Sequence, residues 1–473
     1  MRLSFSIFTL LATALLLSSV SDLYGQRRSD YRKLSMEGQR PSSFFDFITL
    51  PGKNGKEVTF ASIYSFSYRS LPFKKANDAQ SKSGNSFISS ITLNMEVFKS
   101  GPEQLKEKGR DISVKGLESA ARAFANDTAY ADTYEQSQSD LNFLQGQLDV
   151  SLRPGIYSFV LQLARGERSE PRMSKTQTLR IQSYEDMEVG NVLLGEKPSG
   201  KNTAAPNTFE LISMGDNVRY GQDFRALAYI PDYNSTQKYT VSISALNATQ
   251  DDTTKTGQVY SESISADKIS TNLRPALGSR NQKNILRLNS STNGFAYALL
   301  TIPNSRFPND LYRLEVKEEK TGKTVSQTVF QSMWIDMPRS LLSLDFATKM
   351  LHYIVSQETI DRLSKGNRAE REQKFRSFWK KKDPTPKTEY NELMAEYYRR
   401  IDYAYQNFSS STQPGFETDQ GRIYITYGPP RDKERKFPTS GSTVEIWTYP
   451  NKEFIFRATS GFGDFKLVSE QNR

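Results

Sequence analysis

Four carboxylates in the C-terminal part of the chain, together with one arginine and one tyrosine, are the side chains best suited to chemistry. They are Asp383, Glu392, Asp419, Glu445, Arg422 and Tyr424. If folding brings the carboxylates together, they could bind a cation, or act as acid and base as in glycoside hydrolysis. The alternative is structural, because short polar side chains also accept hydrogen bonds from backbone N–H groups and tie elements together. The sequence favours the structural role and leaves both open.

Two glycines bracket the centre of this set. We expect Gly415 to form a turn with positive φ and Gly421 to occupy a second tight position. Between them, Thr418 and Asp419 can accept bonds from nearby backbone N–H groups. Asp419 is also close enough in sequence to pair with Arg422. The segment is therefore predicted to be a latch that holds helices against a sheet.

Composition excludes several classes of site. The chain has no cysteine and a single histidine, His352, which rules out disulfides, thiolate metal sites, cysteine nucleophiles and histidine-rich metal sites. His352 stands in no motif and is predicted to be a packing residue. No nucleophile-plus-base arrangement, phosphate-binding glycine loop or metal-ligand spacing is present. We assign no catalytic residue, metal or cofactor, and leave enzymatic activity open with the balance against it.

The same region is rich in tyrosine, and a compact core cannot readily bury every ring. Tyr398 and Tyr405 lie off the apolar stripe of their helix and are expected to face solvent beside Arg399. Tyrosine and arginine are enriched in interface hot spots, so these three residues are predicted to bind a partner. The alternative is that the tyrosines fill the core with their hydroxyl groups at its rim.

Helices followed by strands must position these residues. Apolar residues recur at helical spacing from Leu341, and after a break at Asp383–Pro386 a further helix runs to Phe408. Beyond Gly415 the pattern changes to period two, which predicts strands. They lie at 423–427, 444–449, 454–456 and 465–468. This order predicts an α+β domain of helices and then an antiparallel meander.

Several segments of this region form a recognisable signature. They are Phe378–Pro386, Asn391-Glu392, Glu396–Ile401, Gly415–Pro430 and Glu445–Trp447. Their order and spacing resemble the GWxTD domain family of bacterial exported proteins, which has no assigned biochemical role. The tryptophan that names the family is Phe416 here, so the resemblance implies aromatic packing at this position and no role for an indole N–H.

The resemblance and the latch together select one set of motif residues. It comprises Asp383, Asn391, Glu392, Gly415, Phe416, Thr418, Asp419, Gly421, Arg422, Tyr424, Gly428, Pro429 and Trp447. The β-rich part of the chain that precedes this region is also similar, more loosely, to what precedes the domain in the family.

The region before the helices is predicted to be β. Residues 87–98 alternate between apolar and polar, and Pro154-Gly155 supplies the turn of a hairpin. Comparable strands recur from 224 to 316. Tyr157 and Tyr312 each follow a turn at the start of a strand. We predict a multidomain, mainly β chain: two tandem immunoglobulin-like sandwiches, 43–186 and 187–337, before the α+β domain, 338–473.

The N-terminus has the pattern of an export signal. Met1-Arg2 is basic, Leu3–Val20 is apolar or small, and small residues follow to Gly25. We predict a signal peptide at 1–25 that is cut after Gly25, with a cut after Ser21 as the alternative. An uncleaved anchor is a further alternative, since a bilayer needs about 20 apolar residues. Residues 26–42 are polar and predicted to be a flexible leader.

Charge and export limit the partners. The net charge is +10, from 63 basic and 53 acidic residues, which favours anionic neighbours. Export argues against nucleic acid, and no transmembrane segment is expected after cleavage. We predict a non-catalytic envelope protein, in the periplasm, at the outer membrane or outside the cell. Its sandwiches would be spacers or docking modules, and its C-terminal domain would recognise an envelope protein or an anionic envelope polymer. The alternative is a secreted hydrolase that acts on glycan or peptide through clustered carboxylates.

Overall fold

The computed structural model describes most of the chain. The described ranges are 40–52, 56–77, 86–104, 113–166, 170–197, 208–248, 253–410, 413–439, 441–459 and 464–472. The predicted signal peptide and residues 26–39 of the predicted leader lie outside them. The described residues form two compact units that divide after Ile335. The fold is mainly β, with helices and then strands at the C-terminal end, as predicted.

The first half of the N-terminal unit is built from antiparallel strands. Its elements are β1 (Ser43–Pro51), β2 (Val58–Ser67), β3 (Lys74–Lys75), β4 (Phe87–Lys99), β5 (Ser119–Ala131), α1 (Tyr134–Ser137), β6 (Phe143–Leu152), β7 (Gly155–Arg165), β8 (Arg172–Met173) and β9 (Gln177–Ile181). One sheet has the order β1-β2-β6, and the other has the order β5-β4-β7-β9, with β3 and β8 on β4 and β7.

The second half repeats this arrangement with additions. Its strands are β10 (Gly190–Glu196), β11 (Thr208–Glu210), β12 (Asn217–Arg219), β13 (Phe224–Ile230), β14 (Tyr239–Ala248), β15 (Thr253–Ile264), β16 (Ile269–Arg280), β17 (Lys283–Ser290), β18 (Phe295–Ile302), β19 (Leu311–Glu318) and β20 (Thr324–Met333). The order β10-β13-β18 corresponds to β1-β2-β6, and β15-β14-β19-β20 corresponds to β5-β4-β7-β9. The hairpin β16–β17 and strand β11 extend the first of these series. Unlike in the first half, parallel pairing of β10 with β20 joins the two series into one 11-stranded sheet.

A tyrosine stands at the equivalent place in both halves. Tyr157 in β7 donates its hydroxyl hydrogen to the carbonyl of Arg153 at 3.0 Å. Tyr312 in β19 does the same to the carbonyl of Pro308 at 2.8 Å. Each bond spans four residues and fixes the turn that leads into the strand, which explains the turn-then-tyrosine pattern in the sequence.

The cores of the two halves are not separate. One hydrophobic cluster contains Phe60 and Leu93 of the first half together with Leu193, Leu227 and Tyr297 of the second. Strand β2 is consequently buried along almost its whole length, on both faces. The predicted boundary at 186/187 therefore crosses a shared core, and independent folding of the two sandwiches stays a prediction.

The C-terminal unit places helices against one four-stranded sheet. Its elements are α2 (Leu344–Met350), α3 (Gln357–Ser364), α4 (Arg368–Lys380), α5 (Glu392–Phe408), α6 (Asp419–Tyr427), β21 (Asp432–Lys436), β22 (Val444–Thr448), β23 (Lys452–Ala458) and β24 (Phe465–Asn472). The sheet order is β21-β22-β23-β24, with every pair antiparallel. Trp379, Phe416 and Trp447 lie in its core.

One predicted element is wrong. Residues 423–427 were expected to be a strand and belong to helix α6. The Thr418 hydroxyl caps this helix by accepting a hydrogen bond from the backbone N–H of Gly421 at 3.0 Å. Ile423 and Ile425 are both buried, so the apolar pattern of a short enclosed helix imitates that of a strand.

Among the residues that the structure describes, none of the helices is long and apolar enough to cross a membrane.

Candidate functional site: the C-terminal motif

Glu445 is the most heavily bonded side chain of the motif region. It lies on β22, fully buried, opposite Arg435 in the register of β21. Arg435 donates to one carboxylate oxygen at 2.6 and 2.9 Å. The other oxygen accepts from the Trp447 indole at 2.7 Å and the Gln420 amide at 2.9 Å. Lys433 also lies 2.9 Å from that oxygen.

These contacts keep Glu445 ionised. Burial by itself raises the pKa of a carboxyl group, because it disfavours the charged form. The hydrogen bonds from Lys433, Arg435 and Trp447 outweigh burial here, so the pKa of Glu445 lies below its ordinary value. A carboxylate with these partners has no acceptor directed at an open pocket. Glu445 therefore joins α6 to the sheet and holds the edge strand β21.

Helix α6 is fixed at its first turn by two side chains. Thr418 caps it, and its hydroxyl hydrogen is donated to the carbonyl of Gly415 at 2.8 Å. Asp419 accepts from the backbone N–H of Leu467 in β24 at 2.9 Å. Arg422 is 3.8 Å from Asp419, a loose ion pair. These are the backbone contacts that the latch hypothesis requires, and they connect the helix to the far edge of the sheet.

The motif glycines are needed for close approach. A Cβ at Gly415 would overlap the carbonyl oxygen of Ala404 in α5, and a Cβ at Gly421 would overlap that of Gly415. The expectation of positive φ at Gly415 is wrong, because positive φ occurs instead at Gly428, at 81°. Gly428 ends α6, and its carbonyl accepts from the hydroxyl of Tyr449 at 2.8 Å. The exposed Pro429 follows it.

Phe416 occupies the position of the family's tryptophan. It is completely buried and packs edge-on against Phe346 and face-on against Tyr405, with ring centroids 5.5 and 5.9 Å apart. Its backbone carbonyl accepts from the hydroxyl of Tyr353. The ring thus fills the space between α2 and α5, and this packing needs no indole N–H.

Asn391 joins two helix ends. Its side-chain oxygen accepts from the N–H of Met394 at 2.8 Å and so caps α5. Its amide nitrogen donates to the carbonyl of Trp379 at 2.9 Å, near the end of α4. In the same loop, Asp383 accepts from the N–H of Thr385, whose hydroxyl donates to Glu392. These three motif residues therefore shape the connection between α4 and α5.

The motif carboxylates lie in three places, with Asp383 and Glu392 sharing Thr385 as a partner. Asp383 and Glu392 bond within the α4–α5 loop, Asp419 bonds to β24, and Glu445 bonds to its own sheet. In the described part of the chain, no cluster of three or more acidic, histidine or cysteine side chains could hold a metal ion.

The predicted partner-binding residues are placed differently from expectation. Tyr398 is not on the surface: it is fully buried, and its hydroxyl donates to the carbonyl of Ala347 at 2.7 Å. Tyr405 is half-buried against Phe416. Arg399 is partly exposed and pairs with Asp336 at 2.6 Å. The prediction erred because α5 is covered on two sides, by α2 and by α6, so its apolar stripe is wider than one face.

His352 is also misplaced by the sequence analysis. It is exposed instead of packed in the core. Its Nδ1 lies 2.9 Å from the carbonyl of Lys349, and its ring lies against Tyr353.

A different group, of three tyrosines and one arginine, does reach the surface. The tyrosine face, as we name it, consists of Arg400, Tyr403, Tyr424 and Tyr427. Tyr403 and Tyr424 stack at 4.4 Å, and Tyr403 and Tyr427 are each 42% exposed. Burial, followed by the neighbouring Tyr403, raises the pKa of Tyr424. Arg400 and Tyr403 are three residues apart on α5, as are Tyr424 and Tyr427 on α6, and this spacing is visible in the sequence. The packing of α5 against α6, which brings the two pairs together, is not.

Comparison with known proteins identifies the C-terminal region. The GWxTD domain family model matches residues 312–470. No curated protein matches the sequence. Among solved structures, the chain is similar to the C-terminal domain of the Streptococcus pyogenes antigen I/II-family protein AspA. That similarity has 9% identity and a TM-score of 0.14, and covers 62% of this chain and 99% of that one.

A second similar structure is the BSP domain of a biofilm associated protein. Here the identity is 10% and the TM-score 0.14, over 64% of this chain and 54% of that one.

Proposed function

Because the chain belongs to the GWxTD domain-containing family, we propose that it is an exported, non-catalytic protein of the cell envelope. In this proposal the C-terminal domain docks on a partner protein, and the β unit acts as a spacer and docking module. The observation that carries the proposal is the engagement of the motif carboxylates. Glu445 and Asp419 both connect secondary-structure elements to one another, which supports a scaffold more than a reaction centre.

The spacer part of the proposal includes two tandem immunoglobulin-like sandwiches. Its support is the strand order shared by the two halves, β1-β2-β6 with β5-β4-β7-β9 in the first and β10-β13-β18 with β15-β14-β19-β20 in the second. The tyrosines that bond back by four residues, Tyr157 and Tyr312, match the tyrosine corner of such folds. Extensive packing between the halves, through one shared cluster, supports a stiff spacer over a flexible one.

The docking surface of the proposal is the tyrosine face. Its aromatic rings offer large contact areas at low entropic cost, and arginine is the other residue enriched in interface hot spots. Arg400 pairs with Glu396 at 2.8 Å, and Lys452 lies 5.5 Å above the ring of Tyr427. Lys452 also pairs with Glu470, so the surface is aromatic and is bordered by ion pairs. In a chain of net charge +10, it favours an acidic patch on an envelope protein.

The docking test uses the full mature chain. A double variant, Tyr403→Ala with Tyr427→Ala, removes two half-exposed rings. Because each ring also packs on aromatic neighbours, the variant should melt at a lower temperature than wild type but remain folded under the conditions of the assay. The matched control is Tyr134→Ala, a 60% exposed tyrosine of the β unit. Crosslinking in intact cells should give a defined adduct with wild type and the control, and at least tenfold less with the double variant.

Three results would contradict the docking proposal. An adduct that survives the double variant removes the tyrosine face as the docking site. Capture of an anionic polymer in place of a protein changes the partner class. Turnover of a glycan or peptide that is lost in Asp419→Asn without unfolding replaces docking by catalysis.

The export part of the proposal rests on the apolar segment Leu3–Val20 and the small residues that end it. Mass spectrometry of the protein from an envelope fraction should find Gln26 as the first residue. An intact Met1 would show that the segment is retained.

A further inference from the structure

The surplus of positive charge in this chain is concentrated in one stretch of the C-terminal unit. Positions 362–387 hold ten basic and three acidic residues, a surplus of seven, while the whole chain has a net charge of +10. The stretch includes the end of α3, all of α4 and the loop that leads to α5. Most of the excess charge therefore belongs to one helix and the segments that flank it.

Few of these basic side chains are neutralised within the protein. In the described part of the chain, Arg371 pairs with Asp345 and Arg376 pairs with Glu372. Seven others are exposed and have no carboxylate within ion-pair distance among the described residues: Arg362, Lys365, Arg368, Lys380, Lys381, Lys382 and Lys387. Like charges that are not neutralised repel one another, so a cluster of this size favours an anionic partner.

Helix α4 exposes one long side. Phe375 and Trp379 are buried in the core, so the opposite side of the helix faces solvent. Along the middle of that side run Ala369, Gln373 and Ser377, which are all exposed and follow the four-residue spacing of a single helix face. They form an uncharged strip of short or flexible side chains.

Basic side chains stand on both sides of this strip. Arg376 and Lys380 line a shallow groove together with it. On the other side, Lys374 donates to the carbonyl of Lys365 at 2.8 Å, just beyond α3, and Lys381 lies about two helical turns further along that side. The basic face, as we name it, consists of Lys374, Arg376, Lys380 and Lys381. Its cations form two rows about 10 Å apart, the width of a helix.

Two rows of cations on a convex helix fit an extended anionic surface better than a small anion. A single phosphate reaches only one row, and such an exposed contact is weakened by salt. A linear polyanion also follows only one row. A bilayer with anionic lipids contacts both rows at once, and each lysine or arginine near such a surface strengthens binding about fivefold. The strip between the rows lets headgroups approach the helix closely.

We propose that the basic face of α4 lies on the headgroups of a membrane that contains anionic phospholipid. The contact is peripheral and electrostatic, because Phe375, Phe378 and Trp379 pack in or against the core of the domain. It is separate from the tyrosine face, which lies on α5 and α6, and it does not rest on the docking proposal.

Co-sedimentation of the full mature chain with lipid vesicles tests the proposal. At low salt, wild type should bind vesicles of phosphatidylcholine mixed with phosphatidylglycerol, and much less to pure phosphatidylcholine. Binding should fall as salt is added. The variant Arg376→Gln with Lys380→Gln and Lys381→Gln loses three cations and should bind the anionic vesicles at least about tenfold more weakly. Lys380→Arg with Lys381→Arg keeps the charge and should bind as wild type does.

The matched control removes the same charge from the N-terminal unit. Arg122→Gln with Lys75→Gln and Lys115→Gln changes one ion-paired arginine and two exposed lysines, and should bind the anionic vesicles as wild type does. Melting curves establish that all variants are folded. The Tyr403→Ala, Tyr427→Ala double variant should also bind these vesicles normally, so failure of the docking proposal is a separate result.

Three results would overturn the proposal. The first is that wild type binds anionic vesicles no better than pure phosphatidylcholine. The second is that the triple variant of the basic face and the matched control bind equally well, which would make the contact a general effect of net charge. The third is that dextran sulfate, a linear polyanion, binds through the same three residues while the vesicles are not bound.

Discussion

Two segments with the same alternating apolar pattern fold in different ways. Phe87–Lys99 forms strand β4, in which buried residues alternate with half-buried ones as predicted. Asp419–Tyr427 forms helix α6, although Ile423 and Ile425 are both buried. The strand has one covered face. The helix packs against α5 and β24, so more than one of its sides is apolar and its helical period is hidden.

The difference shows that, when the apolar period fits both a helix and a strand, the residues at the ends of the segment decide between the two. The α6 segment begins with Thr418-Asp419, a cap and a first-turn acid, and ends at Gly428. These are the start and stop signals of a helix. Strand β4 has no acid in the three residues that follow Ser86, and its partner β5 provides the ladder it needs. A nine-residue segment with a capped start should be read as a helix even when its apolar residues alternate.

The largest expected effect concerns the turn that precedes α6. Gly415→Ala places a Cβ on the carbonyl oxygen of Ala404, a backbone atom that cannot move aside cheaply. We expect a loss of more than about 4 kcal/mol, at the extreme of single substitutions, and a C-terminal domain that fails to fold. Circular dichroism at 222 nm, which follows the helices, is the measurement.

The matched control for the glycine is in a strand. A Cβ added at Gly257 of β15 would meet no atom within 4 Å. Gly257→Ala should therefore leave the melting temperature close to that of the wild type. A folded Gly415→Ala variant with wild-type helicity would show that the turn is not the tight point we describe.

The next largest loss of stability is expected when a buried side chain is removed from the core of either unit. Phe416→Ala should destabilise the C-terminal domain by about 3–5 kcal/mol, the usual cost of removing a buried aromatic ring. Leu93→Ala in β4, also fully buried, should cost about 2–5 kcal/mol in the other unit. Phe416→Trp should be tolerated better than Phe416→Ala, since the family has tryptophan here. Urea unfolding gives all three values, and wild-type stability in Phe416→Ala would show that the ring is not in the core.

Much of the fold could be predicted from such patterns, and the failures have a common cause. Strand β4, which has one covered face, was found by its alternation. Strand β7 was found in the same way, although its residues 157–161 are buried on both faces. Strand β2 is buried on both faces although serine and threonine interrupt its apolar residues, so its sequence does not show that a second sheet lies beyond it. The shared core of the two sandwiches could not be predicted, since it depends on contacts between residues more than a hundred positions apart.

In the candidate site too, roles that depend on local residue type were predicted, and placements that depend on tertiary packing were not. Thr418 and Asp419 were recognised as backbone acceptors because that role depends on local residue type. Glu445 was recognised as an acid, but its partners Lys433 and Arg435 come from strand register, which the sequence leaves open. Tyr398 was placed outside because its helix was assumed to have one covered face. Burial set by tertiary packing was therefore the missing information each time.

Two cross-strand ion pairs, one buried and one partly exposed, extend the comparison to smaller expected losses of stability. Glu445 faces Arg435 and is fully buried, whereas Glu96 of β4 faces Arg122 and is partly exposed. Glu445→Gln should cost about 2 kcal/mol, because it weakens bonds to a buried charge. Glu96→Gln should cost less than about 1 kcal/mol, as exposed pairs do. Equal costs in thermal unfolding would contradict the role given to burial.

The same pair predicts a pH dependence. The pKa of Glu445 is lower in the folded protein than in the unfolded chain, so its ionised form stabilises the fold above the unfolded value of about 4.3. This stabilisation is lost as the pH falls through the lower, folded value. The C-terminal domain of the wild type should therefore lose stability below about pH 4.3 more steeply than Glu445→Gln. Parallel pH profiles of the two proteins would show that Glu445 is not the group responsible.

The smallest effect tests the bond that turns α6 into a latch. Asp419 is partly exposed, and within the described ranges its backbone contact is the N–H of Leu467 in β24. Asp419→Ala should therefore cost near the lower end of about 1–3 kcal/mol, the range for an unpaired donor. Asp419→Asn keeps a side-chain oxygen for that donor and a good residue for the first turn, so it should retain more than half of the stability that alanine loses. Amide hydrogen exchange at Leu467 should rise in the alanine variant and stay low in the asparagine variant. If exchange at Leu467 is the same in all three proteins, Asp419 does not connect α6 to β24, and the capped start of the helix alone accounts for its fold.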